Sequence, residues 1–522
     1  MTNNSSQSHL AISRRSLLKA GGAALAAASF ATPFSARAAE TPVKGGHLRL
    51  GLGGGATTDT LDPAKSLSQV CLVTHRNWGD TLVETDPATG AAVPSLAESW
   101  SSSPDAKVWT FVLRKGVEFH DGRKMSVDDC AETLLRHSDP ASESVVQAIL
   151  KVIKGIEKKN GDLVISLDQG NADFPLLLSD FHLVIQPGGG RDQPDAGIGT
   201  GPYKVQEWDP GVRATFEKNR NDWRSDRGHV DTVEILVVND TSARLAALGS
   251  GQVDYVNLIE PKTVGFMKDA PNIELLVTKG RGHYTFTMHC DVAPFDSNDL
   301  RLALKYAIDR KAMVSKILSG YGEPGNDFPI NELYPLFPAE IEAREFDPDK
   351  AKFHFKKSGH SGPIPLCAAD VAFPAAVDAA LLFQDSCKKV GIELEVQRMP
   401  NDGYWSDVWN KKPFFAGYWG GRPTQDQQYT LAYLSTADWN DSHFKSPQFD
   451  KVLLEARAEL DEAKRKEMYH SLALMVRDEG GVIVPMFNNF VNASSKKMKG
   501  YVHDTSNDMS NGYVCSRVWL EA

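Results

Sequence analysis

Two hydrophobic periods alternate along the chain. Leu48 and Leu50 alternate with polar residues and predict a short strand. Val108, Thr110 and Val112 alternate with Trp109, Phe111 and Leu113, predicting a strand with both faces partly apolar. "DLVISLDQ" (162–169) is another alternating strand. Between them, "HDGRKMS" reads as a turn, in which Asp121-Gly122 supplies a positive-φ position. Ser126, followed three residues later by Asp129, predicts a capped helix start. Residues 197–223, "GIGTGPYKVQEWDPGVRATFEKNRNDW", read as a glycine-rich turn and then a hairpin folded at Asp-Pro-Gly. "VDTVEILVVND" predicts a buried strand, and a helix capped by Thr241 or Ser242 follows it and ends at Gly249.

From about residue 290 the units lengthen. Two amphipathic helical stretches are broken at Asp309, and a short helix starts after Pro348. Residues 374–390 carry helical apolar spacing, and "GIELEVQRMP" reads as a strand. Residues 445–480 give two further helices, followed by the apolar strand "GVIVPMFNNF". Strands alternating with helices predict an α/β fold. No short-period repeat is present.

Composition narrows the class. A chain of 522 residues exceeds one core and implies roughly two to four domains. The 41% apolar and 24% charged fractions are those of a soluble globular protein. A net charge of −10, with no basic stripe, argues against nucleic acid as a partner. After residue 40 no apolar run is long enough to span a bilayer. The N-terminus has the pattern of an export signal. Ser13-Arg14-Arg15 precedes an alanine-rich segment that closes on Ala36-Arg37-Ala38, so residues 1–38 resemble a twin-arginine signal peptide. Leu17 stands where phenylalanine is commoner. Cleavage after Ala38 removes four cations and no acid, taking the net charge from −10 to −14. No cysteine precedes Cys71, so no lipid anchor is expected, and the reading is a soluble bacterial periplasmic protein. The six cysteines are scattered without a C-x-x-C; the expectation is buried, unpaired thiols, with room for one bridge.

Catalytic and cofactor patterns are weak. Gly51 to Ala56 fits G-x-G-x-x-A, but "TTDTLDP" follows, which is turn chemistry rather than the helix a dinucleotide site needs. Lys204 lacks the spacing of a phosphate-binding loop. There is no G-x-S-x-G, which Ser319 misses, and no H-E-x-x-H. His283 and His289 lie six residues apart on a predicted strand, too far apart to share one metal readily. No enzyme, cofactor or metal site is expected.

Five segments in order carry a resemblance: "LAESWSSSPDAKVWTFVLRKGVEFHDGRKMSVDD", the 199–223 hairpin, "ARLAALGSGQVDYV", "LRLALKYAIDRKAMVSKILSGYGEP" and "FDPDKAKFHFKKSG". Over roughly residues 45–522 the chain resembles the extracytoplasmic solute-binding proteins of ABC importers of the dipeptide, oligopeptide and nickel type, family 5. The resemblance implies a two-lobed periplasmic-binding fold with an extra inserted domain in the first lobe. The first lobe is expected from 45–83, 212–289 and 483–522, the insertion at 84–211, and the second lobe at 290–482. It implies a monomeric receptor that captures a peptide or a peptide-like or opine-like small molecule by hinge closure and passes it to an ABC permease and its ATPase; an anionic solute is the expectation that Arg422 adds. The alternative is a nickel or haem carrier of the same family.

The resemblance also points to ligand contacts. Gly54, Gly55 and Ala56 match its cleft floor, with a tight turn as the alternative. "AGYWGGRPTQDQQY" (416–429) matches the cleft segment of the second lobe. Gly421 falls where peptide receptors carry an acid, and Arg422 follows, which suits a carboxylate or phosphate; the alternative is a salt bridge. Tyr418, Trp419 and Gly420 complete the candidate surface, with core packing as the alternative for Trp419. Asp426 is the candidate for an amine or hydroxyl. Tyr404 and Trp405 are further cleft candidates, with helix-face packing as the alternative.

Overall fold

The strand His47–Leu52 lies inside the largest sheet, and its alternating Leu48, Leu50 and Leu52 are fully buried. The computed structural model describes residues 41–267 and 270–521, so the expected export signal lies outside the described residues. This first sheet has seven strands, in the order 273–278, 490–495, 255–256, 47–52, 232–237, 213–218, 203–209. His47–Leu52 runs parallel to both of its neighbours, and antiparallel hairpin arms extend the edge beyond 232–237. The three leucines share one face of the strand and pack together in the first-lobe core.

A four-stranded antiparallel sheet, in the order 97–102, 108–113, 162–167, 153–159, forms a separate core with the helix Val127–Ser138. Trp109, Phe111 and Leu113 enter that core, while Val108 and Val112 stay exposed, so only one face of this strand is packed. The expected cap is present in full: Ser126 accepts from the Asp129 backbone, and the Asp129 carboxylate accepts from the backbone N–H of Ser126.

The third sheet has six strands, in the order 322–324, 482–488, 283–288, 414–419, 364–368, 394–398. It is packed on both faces. Ile483 joins a core around Phe286 and Phe383, and Val482 and Val484 join another around Tyr429 and Tyr469. Asp309 is the N-cap of the helix Arg310–Ile317, which is why the helical pattern breaks there. Helix 241–249 is capped by Asp240, not by Thr241 or Ser242: its carboxylate accepts from the Ala243 backbone.

The chain passes between the first and third sheets twice, at Lys279–Gly282 and at Asn489. These limits differ from those expected. Strands 283–288 and 482–488 both belong to the second-lobe sheet, so its limits lie near 283 and 488 rather than at 290 and 482. Strand 203–209 belongs to the first-lobe sheet, because a hairpin places both arms in one sheet and 213–218 already pairs with 232–237. All six cysteines are free, five buried and Cys290 partly buried. Among the described residues no helix is long and apolar enough to cross a membrane.

A buried ion cluster ties the root of the inserted domain to the first lobe. Arg227 Nη2 reaches Glu84 Oε2 at 2.6 Å, Arg224 Nη1 reaches Glu84 Oε1 at 3.2 Å, and Arg224 Nη2 reaches Asp80 at 2.7 Å. Burial pushes the Glu84 carboxyl up, but the two guanidinium groups outweigh it and hold the group at about 2. Glu84→Gln leaves two buried cations short of a partner and is expected to cost about 3–5 kcal/mol at pH 7. Urea unfolding measures the loss. Because the folded pKa lies below the ordinary 4.5, the advantage of the native carboxylate is present above pH 4.5 and fades between 4.5 and about 2.

Candidate functional site

The two crossings lie side by side. The Asn488 backbone N–H donates to Gly282 O at 3.1 Å, and Asn331 Nδ2 donates to Gly280 O at 2.9 Å. Above them opens a cavity of about 650 Å³. Its first-lobe wall is built from Leu258 to Pro261, Phe490 and Ser506 to Asp508. Its second-lobe wall is built from Asp370 to Pro374, Tyr284 and Tyr418 to Gly421. Arg281, Gly282, Asn488 and Asn489, at and beside the crossings, also line it. Tyr284 and Phe373 stack in parallel, with ring centroids 4.3 Å apart. The volume suits a small organic solute rather than a macromolecule.

Of the sequence-predicted residues, Tyr418, Trp419 and Gly420 line this cavity. Tyr418 is half exposed and meets Trp405 edge-on at 5.5 Å, which brings Trp405 beside the cavity without making it part of the lining. Trp419 is only 5% exposed and also packs in the second-lobe core. Tyr404 is fully buried and donates to Ala416 O at 2.8 Å. Asp426 is buried and receives Arg457 Nε at 3.0 and 3.1 Å. Tyr404 and Asp426 thus have protein partners away from the cavity.

Arg422 does not line the cavity either. Its backbone N–H donates to Tyr334, its Nε is buried without a hydrogen-bond partner among the described residues, and burial lowers its pKa. Gly421 has a steric reason. A Cβ there would come within 2.4 Å of Arg281 Cβ and 3.1 Å of its carbonyl carbon, so no side chain fits. On the first lobe, Gly54 is exposed with φ +86°, next to the cavity residues Gln69 and Leu258. Gly55 is buried against Val237 and Val70, and Ala56 lies against the turn at Gly211. Neither lines the cavity.

The residues that sequence reasoning missed are mostly polar. Arg281, Asp370, Asn488, Asn489 and Ser506 to Asp508 all line the cavity. Two signals were readable: the Asn-Asn break that ends an apolar strand, and the Asx-rich "SNDMSNG" close to the C-terminal end. Behind Trp419 sits Asp441, 2% exposed, whose carboxylate accepts from the indoles of Trp409 and Trp419. Burial pushes it up to about 7. His283 is buried against Phe487, and His289 stacks on His443 at 3.8 Å; burial lowers both to about 4. Among the described residues no group of three His, Cys, Asp or Glu is placed to hold a metal ion.

A second bridge joins the inserted domain to the second lobe. Arg465 donates to both oxygens of Asp173, at 2.7 and 2.5 Å, and the Ala172 N–H donates to Arg457 O at 2.8 Å.

Residues 91–441 match the family of bacterial extracellular solute-binding proteins, family 5, over its middle region. The chain belongs to this family. Heme-binding protein A of Haemophilus influenzae is 25% identical over 464 residues, 81% of this chain and 83% of that protein. Among solved structures, the ABC transporter-associated periplasmic binding protein DppA of Helicobacter pylori, in complex with the peptide STSA, is similar at a TM-score of 0.74 and 22% identity, covering 92% of this chain and 99% of that one. The periplasmic binding protein AgaA of A. tumefaciens R10, in complex with agropinic acid, is similar at 0.73 and 24%, covering 91% and 99%. The sheets and crossings of this family 5 member form the two-lobed α/β fold that these structures share.

Asp441 supplies a test of the support behind Trp419. Its folded pKa is raised above 3.8, so the folded state keeps a proton that the unfolded state releases, and stability falls as pH rises from about 3.8 to about 7. Asp441→Asn has no such proton. The melting temperature of the variant minus that of the native protein is expected to increase across that range; a difference independent of pH contradicts the assignment.

Proposed function

We propose that the protein is a periplasmic receptor of an ABC importer that captures a peptide-like or opine-like small molecule by hinge closure. The observation that carries this reading is a cavity lined by both lobes, with the two chain crossings at its base. A solute held there touches both walls at once, so it favours the state in which they face each other. Stacked aromatics supply apolar contact area, and the asparagines and carboxylates around them supply orientation. Family membership supports delivery to a membrane permease and its ATPase, and the peptide and opine complexes of the similar structures support the solute class. The chain acts as a monomer after export.

Binding requires no chemistry on the solute. A micromolar dissociation constant corresponds to about 8 kcal/mol, within reach of a cavity this size.

The test is thermal unfolding of protein incubated with a mixture of short peptides and dialysed, followed by mass analysis of what is released. The expected result is a raised melting temperature and a solute of unchanged mass; a released product of altered mass contradicts the receptor reading. The Asp173–Arg465 bridge supplies a second test. Asp173→Asn is expected to shift the lobes toward separation and weaken capture of the recovered solute about tenfold, ~1.4 kcal/mol, by titration calorimetry. Unchanged affinity shows that the bridge does not contribute to the closed state.

A further inference from the structure

The charges that line the cavity do not balance. Among the described residues, three acids line it, Glu260, Asp370 and Asp508, against one cation, Arg281. That cation is already committed. Its Nε and Nη2 donate to Leu333 O at 3.2 and 2.7 Å, its Nη1 donates to Pro423 O at 3.1 Å, its guanidinium lies over Tyr334, and it is 2% exposed. Glu260 has an external partner in Lys262, at 2.7 Å. Asp370 accepts from the Val377 backbone at the head of the helix Ala376–Lys388.

Asp508 differs from both. It is 3% exposed, and no ion pair reaches it among the described residues. Its Oδ1 accepts from Asn492 Nδ2 and from the Met509 N–H, both at 2.6 Å, and neither donor carries charge. Burial raises its pKa, with no neighbouring cation to oppose the shift. Neutral acceptors such as asparagine satisfy the same two donors without placing a carboxylate in a cavity wall.

The backbone that presents Asp508 is itself unusual. Met509, Ser510, Asn511 and Gly512 follow with φ of 54°, 60°, 55° and 78°, a left-handed turn in which three of four residues are not glycine. The surroundings hold it in place. Arg517 Nη1 donates to Ser510 O and Oγ, and Asn511 Nδ2 donates to Thr85 Oγ1. Strained backbone of this kind persists where the neighbouring structure over-determines it, and it concentrates at ligand clamps.

We propose that Asp508 is the first-lobe anchor for a cationic group of the solute, an ammonium or guanidinium, which supplies the countercharge that the protein withholds. The inference rests on the receptor reading. It makes the solute a cation or a zwitterion, with its positive end held on the first lobe and its flat or apolar part against Tyr284, Phe373 and Tyr418 on the second.

The probe is a pepsin digest of casein, offered untreated and after exhaustive acetylation of its amines. Solute retained through gel filtration is released by denaturation and identified by mass. From the untreated digest, wild-type protein is expected to retain peptides. From the acetylated digest it is expected to retain only arginine-containing species. Asp508→Asn, with an unchanged circular dichroism spectrum, is expected to lose at least tenfold of the retained material. Equal retention of acetylated, arginine-free peptides overturns the inference, as does undiminished retention by the variant; in both cases the receptor reading stands. Retention of nothing from either digest overturns the receptor reading, and the inference with it. The acetylation arm uses wild-type protein and decides the question even where the variant fails to fold.

Discussion

Two chain crossings, Lys279–Gly282 and Asn489, packed against each other, are the constraint on which the rest of the structure depends. Because the Asn488 amide donates to Gly282 O, the two strands leaving the second lobe are tied together where they enter the first. The lobes therefore share a narrow base, and the space above it becomes a cavity rather than a filled core. The same constraint fixes what lines that base: Arg281 and the two asparagines are there because the chain has to pass. Motion about such a junction opens or closes the cavity without disturbing either sheet.

Around that junction, charge is settled in different ways. Glu84 is buried but fully paired, and its carboxyl is held far below its ordinary range. Asp441 is buried with uncharged donors, the indoles of Trp409 and Trp419 and its own backbone N–H, and its proton is retained to about pH 7. Arg281 is surrounded by carbonyl oxygens and the face of Tyr334. Asp508 alone among the three cavity carboxylates combines burial, a cavity position and the lack of a charged or external partner among the described residues. The geometry thus leaves one electrostatic interaction to be completed from outside.

The fold was legible because its elements are local. Leu48 and Leu50 announce a buried strand, Ser126 and Asp129 a capped helix, and Asp309 a helix break, each within a few residues. The limits of the domains were less legible, because membership in a sheet depends on pairing partners: strand 203–209 follows its hairpin arm, and 283–288 pairs with 414–419 and 482–488. The site was legible only in part. Tyr418, Trp419 and Gly420 line the cavity, but Asp426 turns to Arg457, and Arg422 lies outside the lining. The arginine that does line the cavity is Arg281, 141 residues earlier in the chain and brought near by the strand pair 283–288 and 414–419, and its guanidinium is already held by carbonyl oxygens. No spacing rule reaches that far.

The lobes rotate about the paired crossings to enclose a solute. The most direct measurement of that rotation is the spin–spin distance between labels at Glu143, on the inserted domain, and Lys451, on the second lobe, both on exposed side chains. Rotation gives a broad or two-component distribution without solute that collapses to its shorter component at saturation. A distribution unmoved by a solute that demonstrably binds contradicts it.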